Sequence, residues 1–153
     1  MSNQELRILV VGLGSMGRRR IRCLKELGVK YIYGYDLRSD RASEVESQQG
    51  ITILEDLDGF IELNSIHAVI ICTPPDQHLE YMNWAFDNSI DMMIEASVII
   101  DGLRNFLKKS ENSKISICPS CTMNFHPAIQ KIKEIFHGDK KKTNNFIIFG
   151  YPR

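Results

Sequence analysis

The stretch Arg7-Ile8-Leu9-Val10-Val11-Gly12-Leu13-Gly14-Ser15-Met16-Gly17 decides how the rest of this chain reads. An apolar run that breaks into G-x-G-x-x-G is how a strand hands over to a helix beneath a pyrophosphate. Gly12 permits a sharp exit from the strand, and Gly14 leaves room for phosphate oxygens to approach the backbone. The helix opening at Ser15 and Met16 turns its unpaired N–H groups toward negative charge. Gly17 shares a helical stripe with Ile21 and Leu24, so its missing side chain lets the helix lie close on the sheet. The glycine motif alone is a weak signal, and its surroundings strengthen it. An amphipathic helix follows, Gly28 is a helix stop, and a second apolar strand over residues 30–35 ends at Asp36. Asp36 stands 19 residues beyond Gly17, close to where the motif expects an acid for ribose hydroxyls.

Composition sets bounds around this unit. With 153 residues, 43% of them hydrophobic and 25% charged, the chain can form one domain with a full core, or one domain plus a fragment of a second. Nineteen basic residues balance nineteen acidic ones, which argues against a nucleic-acid or membrane-surface partner. No stretch approaches the roughly 20 apolar residues of a membrane span, and residues 1–5 do not open a signal peptide, so a cytoplasmic protein is expected. Four cysteines are too sparse for a disulfide scaffold, and free thiols are expected.

Strand-like and helix-like periods alternate along most of the sequence, the pattern of an α/β protein with a doubly wound parallel sheet. After the first βαβ unit we expect a polar helix over residues 39–49 closed by Gly50, a short strand over 51–54 and a helix over 56–63. His67-Ala68-Val69-Ile70-Ile71-Cys72 reads as a strand buried on both faces, broken by Thr73-Pro74-Pro75. Asp76 is expected to cap a helix running to Asn88, followed by a strand over 92–94 ending at Glu95, a helix over 99–109 and a sixth strand over 114–118. A helix over 127–137 and a strand over 145–149 remain. One helix and one strand cannot bury a core, so they read as the truncated start of a second domain. The expected division is a dinucleotide-binding domain over residues 1–122 and the incomplete beginning of a substrate domain over 123–153.

The order of the glycine motif, Asp36, Glu55-Asp56-Leu57, the segment Ala68-Val69-Ile70-Ile71-Cys72-Thr73-Pro74-Pro75-Asp76-Gln77-His78, and Phe125-His126-Pro127 resembles the glucose-fructose oxidoreductase/inositol dehydrogenase family, Gfo/Idh/MocA. The resemblance runs nearly end to end, and Cys-Thr-Pro followed by His is more specific than the glycines. It implies a Rossmann-type domain that binds NAD or NADP, followed by an α+β substrate domain. It also implies that Cys72, Thr73, Pro74 and Pro75 contact the cofactor, with His78 near them; a surface histidine is the plain alternative for His78. Glu95, ending the fifth strand at the same edge, is placed near the nicotinamide ribose, with an exposed strand-end carboxylate as its alternative. The family carries Glu-Lys-Pro after the fifth strand, its lysine serving in proton transfer beside nicotinamide and substrate. Here the triplet is Glu95-Ala96-Ser97, so no catalytic residue is assigned, and Ala96 is kept only as a position beside the cofactor.

At the other end of the cofactor, the Asp36 carboxylate would accept both ribose hydroxyls and repel a 2′-phosphate, which favours NAD. Arg38 keeps NADP as the alternative, since a guanidinium two residues on could meet that phosphate. Arg18-Arg19-Arg20 fall in the first turns of the phosphate helix, where cations oppose the macrodipole, and most of the run reads as solvated surface. Cys118-Pro119-Ser120-Cys121 matches C-x-x-C, the spacing of a redox pair or half a zinc site. No second pair exists and the motif follows a sixth strand, so no metal is assigned.

Two readings stand side by side. One is the cofactor half of an NAD(P)-dependent oxidoreductase acting on a sugar-like or polyol CH–OH group, inactive as this chain alone, its small-molecule substrate held by a longer form. The other is a non-catalytic dinucleotide-binding module, a sensor or assembly subunit. A methyltransferase shares the glycine-rich turn but leaves Cys-Thr-Pro and Phe-His-Pro unexplained. The apolar face of the 127–137 helix points to self-association as its outlet.

Overall fold

The computed structural model describes residues 5–59, 66–96, 101–121 and 125–137. Six strands form one parallel sheet in the order β3-β2-β1-β4-β5-β6. They are β1 (Arg7–Val11), β2 (Tyr31–Tyr35), β3 (Thr52–Ile53), β4 (Ala68–Ile71), β5 (Asp91–Ile94) and β6 (Ile117–Pro119). Between them lie α1 (Ser15–Glu26), α2 (Ser39–Gln49), α3 (His78–Asp87) and α4 (Leu103–Ser110). This is the Rossmann-type doubly wound arrangement, whose order reverses between β1 and β4.

Alternation along β1 builds both faces of the sheet. Ile8 and Val10 join Ile21 of α1 and Ala42 and Val45 of α2 in one core cluster. Leu9 and Val11 join Tyr81, Met82 and Ala85 of α3 and Phe106 of α4 in the other. Because both faces are covered, β1 and β4 read as unbroken apolar runs rather than alternating ones. Gly34 lies mid-strand in β2, where a β-carbon would stand 2.8 Å from Ile51 and 3.2 Å from Leu13. The missing side chain leaves that space to Ile51, Ile53 and Leu13.

Several boundaries differ from the sequence expectation for local reasons. Asp76 caps nothing: it sits inside a 3₁₀ turn over Pro75–Gln77, and α3 starts at His78 after Gln77 without a side-chain cap. The fourth helix starts at Leu103 behind Gly102, its N-cap at φ +78°; residues 99 and 100 of the expected helix lie outside the described residues. The last strand begins at Ile117 instead of residue 114, since the Ser116 N–H donates to the Asp91 carboxylate at 2.7 Å and is diverted from the ladder. The 56–63 helix is seen only at Asp58 and Gly59, and the 145–149 strand lies outside the described residues.

Backbone contacts divide the chain into one unit ending at Ser120 and another starting at Cys121. In the second, α5 spans Pro127–His137, and the Ala128 N–H donates to His126 Nδ1 at 3.2 Å, closing its first turn. Phe125 just before it is 81% exposed.

Candidate functional site

The carboxyl edge of the sheet is stitched laterally by amides one residue past β1, β4, β5 and β6. The Gly12 N–H donates to the Tyr35 carbonyl at 2.8 Å, Cys72 to Val11 at 2.7 Å, Glu95 to Ile71 at 3.0 Å and Ser120 to Ile94 at 2.7 Å. The turns that follow thus leave the sheet from fixed points. Above the reversal between β1 and β4 lies a cavity of about 530 Å³. Val11, Gly12, Gly14, Ser15 and Met16 form one side of it. Asp36, Leu37, Arg38 and Arg41 border it beyond β2, and Cys72, Thr73, Pro74, Gln77 and Tyr81 border it beyond β4.

The three motif glycines do three different things. Gly12 takes φ +85°, and a β-carbon there would stand 2.7 Å from the Thr73 nitrogen, so the β1 and β4 turns touch through it. Gly17 is buried, with its β-carbon position 2.1 Å from the Gly12 carbonyl oxygen. A β-carbon at Gly14 would meet nothing within 4 Å among the described residues. Gly14 is also the N-cap of α1, whose first turn has no side-chain cap and no acidic residue. Free amides beside an open cradle suit an anion with oxygens to spare, so the residues present fit a dinucleotide pyrophosphate.

Asp36 is nearly enclosed, its side chain 6% exposed. Its Oδ2 accepts the Leu13 N–H at 2.7 Å and Arg41 Nη1 at 3.1 Å, and its Oδ1 accepts the Arg38 N–H at 2.9 Å. Leu13 enters the site only through that amide, because its side chain is wholly buried on the α1/α2 face. The Arg38 guanidinium turns aside to Asp40 in a bidentate pair and holds the Asp40 carboxyl down to about 2. On the β4 side, burial followed by the charge of Glu95 pushes the Cys72 thiol up to about 12. Burial likewise lifts Tyr81 to about 12, its ring edge-on to Tyr35 with centroids 6.4 Å apart.

Some expected residues stand back from the cavity. His78 is neither on the surface nor on the cavity wall: it is fully buried, its Nε2–H donating to the Thr73 carbonyl at 2.8 Å, and so fixes the turn from behind. Its Nδ1 and the Thr73 hydroxyl are buried without a hydrogen-bond partner among the described residues. Pro75 is exposed in the 3₁₀ turn. Glu95 is buried and ion-paired to Arg20, which also donates to Ser120 Oγ at 3.3 Å. Ala96, next to it, is exposed. The triple-arginine run is therefore less solvated than its sequence suggests, since Arg18 also pairs with Glu44 at 2.5 Å. Sequence reasoning missed Arg41, Gln77 and Tyr81. Tyr81 could have been found, because it lies one helical turn beyond His78 and so shares its buried face.

The family described as "oxidoreductase family, NAD-binding Rossmann fold" matches residues 6–98, which hold the glycine turn, Asp36, the Cys72–Pro75 turn and Glu95. The chain belongs to the Gfo/Idh/MocA family. Among solved structures, this member resembles myo-inositol 2-dehydrogenase from Lactobacillus plantarum, with TM-score 0.76 and 20% identity over 87% of the chain. The WlbA dehydrogenase from Chromobacterium violaceum, in complex with NADH and UDP-GlcNAcA, gives 0.79 and 14% over 90%. The apo scyllo-inositol dehydrogenase from Lactobacillus casei gives 0.75 and 16% over 90%. The chain covers 41%, 41% and 43% of those proteins, respectively. No curated protein matches it in sequence. Among the described residues, no helix is long and apolar enough to cross a membrane, and no cluster of three or more His, Cys, Asp or Glu could hold a metal ion.

Proposed function

We propose that the cavity binds NAD and that this chain is the cofactor half of an oxidoreductase acting on a sugar-like or polyol CH–OH group. The observation that carries this reading is the unobstructed β-carbon position of Gly14, at an uncapped helix start, in one cavity with Asp36 and the Thr73-Pro74 turn. In this reading the amides of Ser15 and Met16 hold the pyrophosphate, Asp36 holds the adenosine ribose, and Cys72, Thr73 and Pro74 border the nicotinamide half. His78 positions the Thr73 carbonyl from behind, and Arg20 positions Glu95. When bound, the nicotinamide gives or takes the hydride. Inositol and sugar-nucleotide dehydrogenases among the similar structures support that substrate class.

The reading is tested by titrating the chain with NADH, followed by its fluorescence, beside Gly14→Val. Gly14 has ordinary backbone angles and an unobstructed β-carbon position, so valine should keep the fold while filling the phosphate cradle. Saturable binding lost in Gly14→Val supports the proposal; no saturation in the unmutated chain, or equal binding in the variant, overturns it.

A second reading, a dinucleotide-binding module without catalysis, is favoured by one residue. Ala96, exposed past β5, stands where the resemblance expects a lysine, and alanine cannot hold a proton at a reacting carbon.

A further inference from the structure

We propose that Arg41 is a cofactor-specificity residue that admits the 2′-phosphate of NADP(H) to this cavity, so that the chain binds both dinucleotides. The inference rests on reading the cavity as a dinucleotide site. A carboxylate offers about four acceptor positions. Three of those on Asp36 are taken, by the Leu13 and Arg38 amides and by Arg41. Asp36 therefore has room for one ribose hydroxyl rather than the two that an acid at this place would otherwise take.

Its charge is also answered. Arg41 Nη1 stands 3.1 Å from Asp36 Oδ2, which cancels much of the repulsion that a carboxylate presents to a phosphate. Arg41 is the more open partner, with its side chain 32% exposed against 6% for Asp36. A guanidinium carries five N–H donors, so one bond to Asp36 leaves most of them for phosphate oxygens at the cavity border. Arg38 borders the same cavity, but its guanidinium is engaged twice by Asp40 and is 61% exposed, a surface pair. The arginine placed for the phosphate is thus five residues beyond the acid rather than two.

The test is calorimetric titration of the unmutated chain, Arg41→Ala, Arg41→Lys and Arg38→Ala with NAD⁺ and NADP⁺. The expected result is NADP⁺ binding within about tenfold of NAD⁺, and a loss in Arg41→Ala of about tenfold or more for NADP⁺ with a smaller change for NAD⁺. Arg41→Lys should recover part of that loss, because it restores charge without the fork. Binding of NAD⁺ alone to the unmutated chain, an equal loss of both cofactors in Arg41→Ala, or a larger NADP⁺ loss in Arg38→Ala overturns the inference and leaves the dinucleotide reading intact. Binding of neither cofactor overturns both.

Discussion

Gly17 lies against Gly12 so closely that a β-carbon on Gly17 would stand 2.1 Å from the Gly12 carbonyl oxygen. Helix α1 thereby rests directly on the turn that it follows.

Gly17→Ala should therefore destabilise the chain by about 2 to 4 kcal/mol, because the clash is with backbone and can be relieved only by lifting the helix. Gly14→Ala, which meets nothing, should stay within about 1 kcal/mol of the unmutated chain. Urea unfolding midpoints decide between them; equal midpoints would show that α1 can slide at no cost.

The Arg20–Glu95 pair ties α1 to the end of β5, with side chains 18% and 10% exposed. Arg20→Ala leaves a mostly buried carboxylate unpaired and should cost about 2 to 4 kcal/mol, below the range for fully enclosed pairs. Adding Glu95→Gln to Arg20→Ala should restore much of that loss. A double-mutant cycle with no coupling energy would place the pair among surface contacts.

Alkaline pH should weaken the fold through Cys72 and Tyr81. Folded, both keep their protons to about 12, whereas the unfolded thiol and phenol release theirs near 9.0 and 10.0. The unfolded state binds fewer protons in that window, so this stabilisation is complete below pH 9 and is lost as pH rises toward 12. Urea midpoints measured at about pH 8 and about pH 10.5 should fall, and Cys72→Ala should flatten the fall. An unchanged slope in that variant would remove Cys72 as a contributor.

Turnover should be absent from the 153-residue chain supplied with either dinucleotide and any polyol or sugar. A positioned proton-transfer group is worth about 10² to 10⁴ in rate, and Ala96 is none. Positioning of the reacting carbon can account for roughly 7 to 11 kcal/mol more, which Ala96→Lys cannot supply, so that variant should be equally inactive. Substrate-dependent NADH formation that disappears in Gly14→Val would falsify this.

The sheet was legible because β1 and β4 are continuous apolar runs, Gly12 breaks β1 and Gly50 closes α2 ahead of β3. Helix α2 begins and ends, and α5 begins, at the residues their polar and proline signals indicate. Strand β6 was placed too early because the competing partner of Ser116, Asp91, is distant in sequence. The cavity wall was legible where backbone makes it, in the glycine turn and at Thr73-Pro74. The site was illegible where two side chains settle a role between them. Nothing in local spacing says that Arg20 finds Glu95 or that Arg41 shares Asp36 with the Leu13 amide.

The lateral amide stitch along the carboxyl edge bears on how the protein opens. Gly12, Cys72, Glu95 and Ser120 lie just beyond their strands, yet each N–H is held by the neighbouring strand's backbone. Their hydrogens should exchange with solvent deuterium at the pace of the central strands rather than of loops. The carboxyl edge beneath the cavity is then among the last parts to come apart, and a partly opened chain that retains its sheet retains the Gly12 and Cys72 backbone that borders the cavity as well.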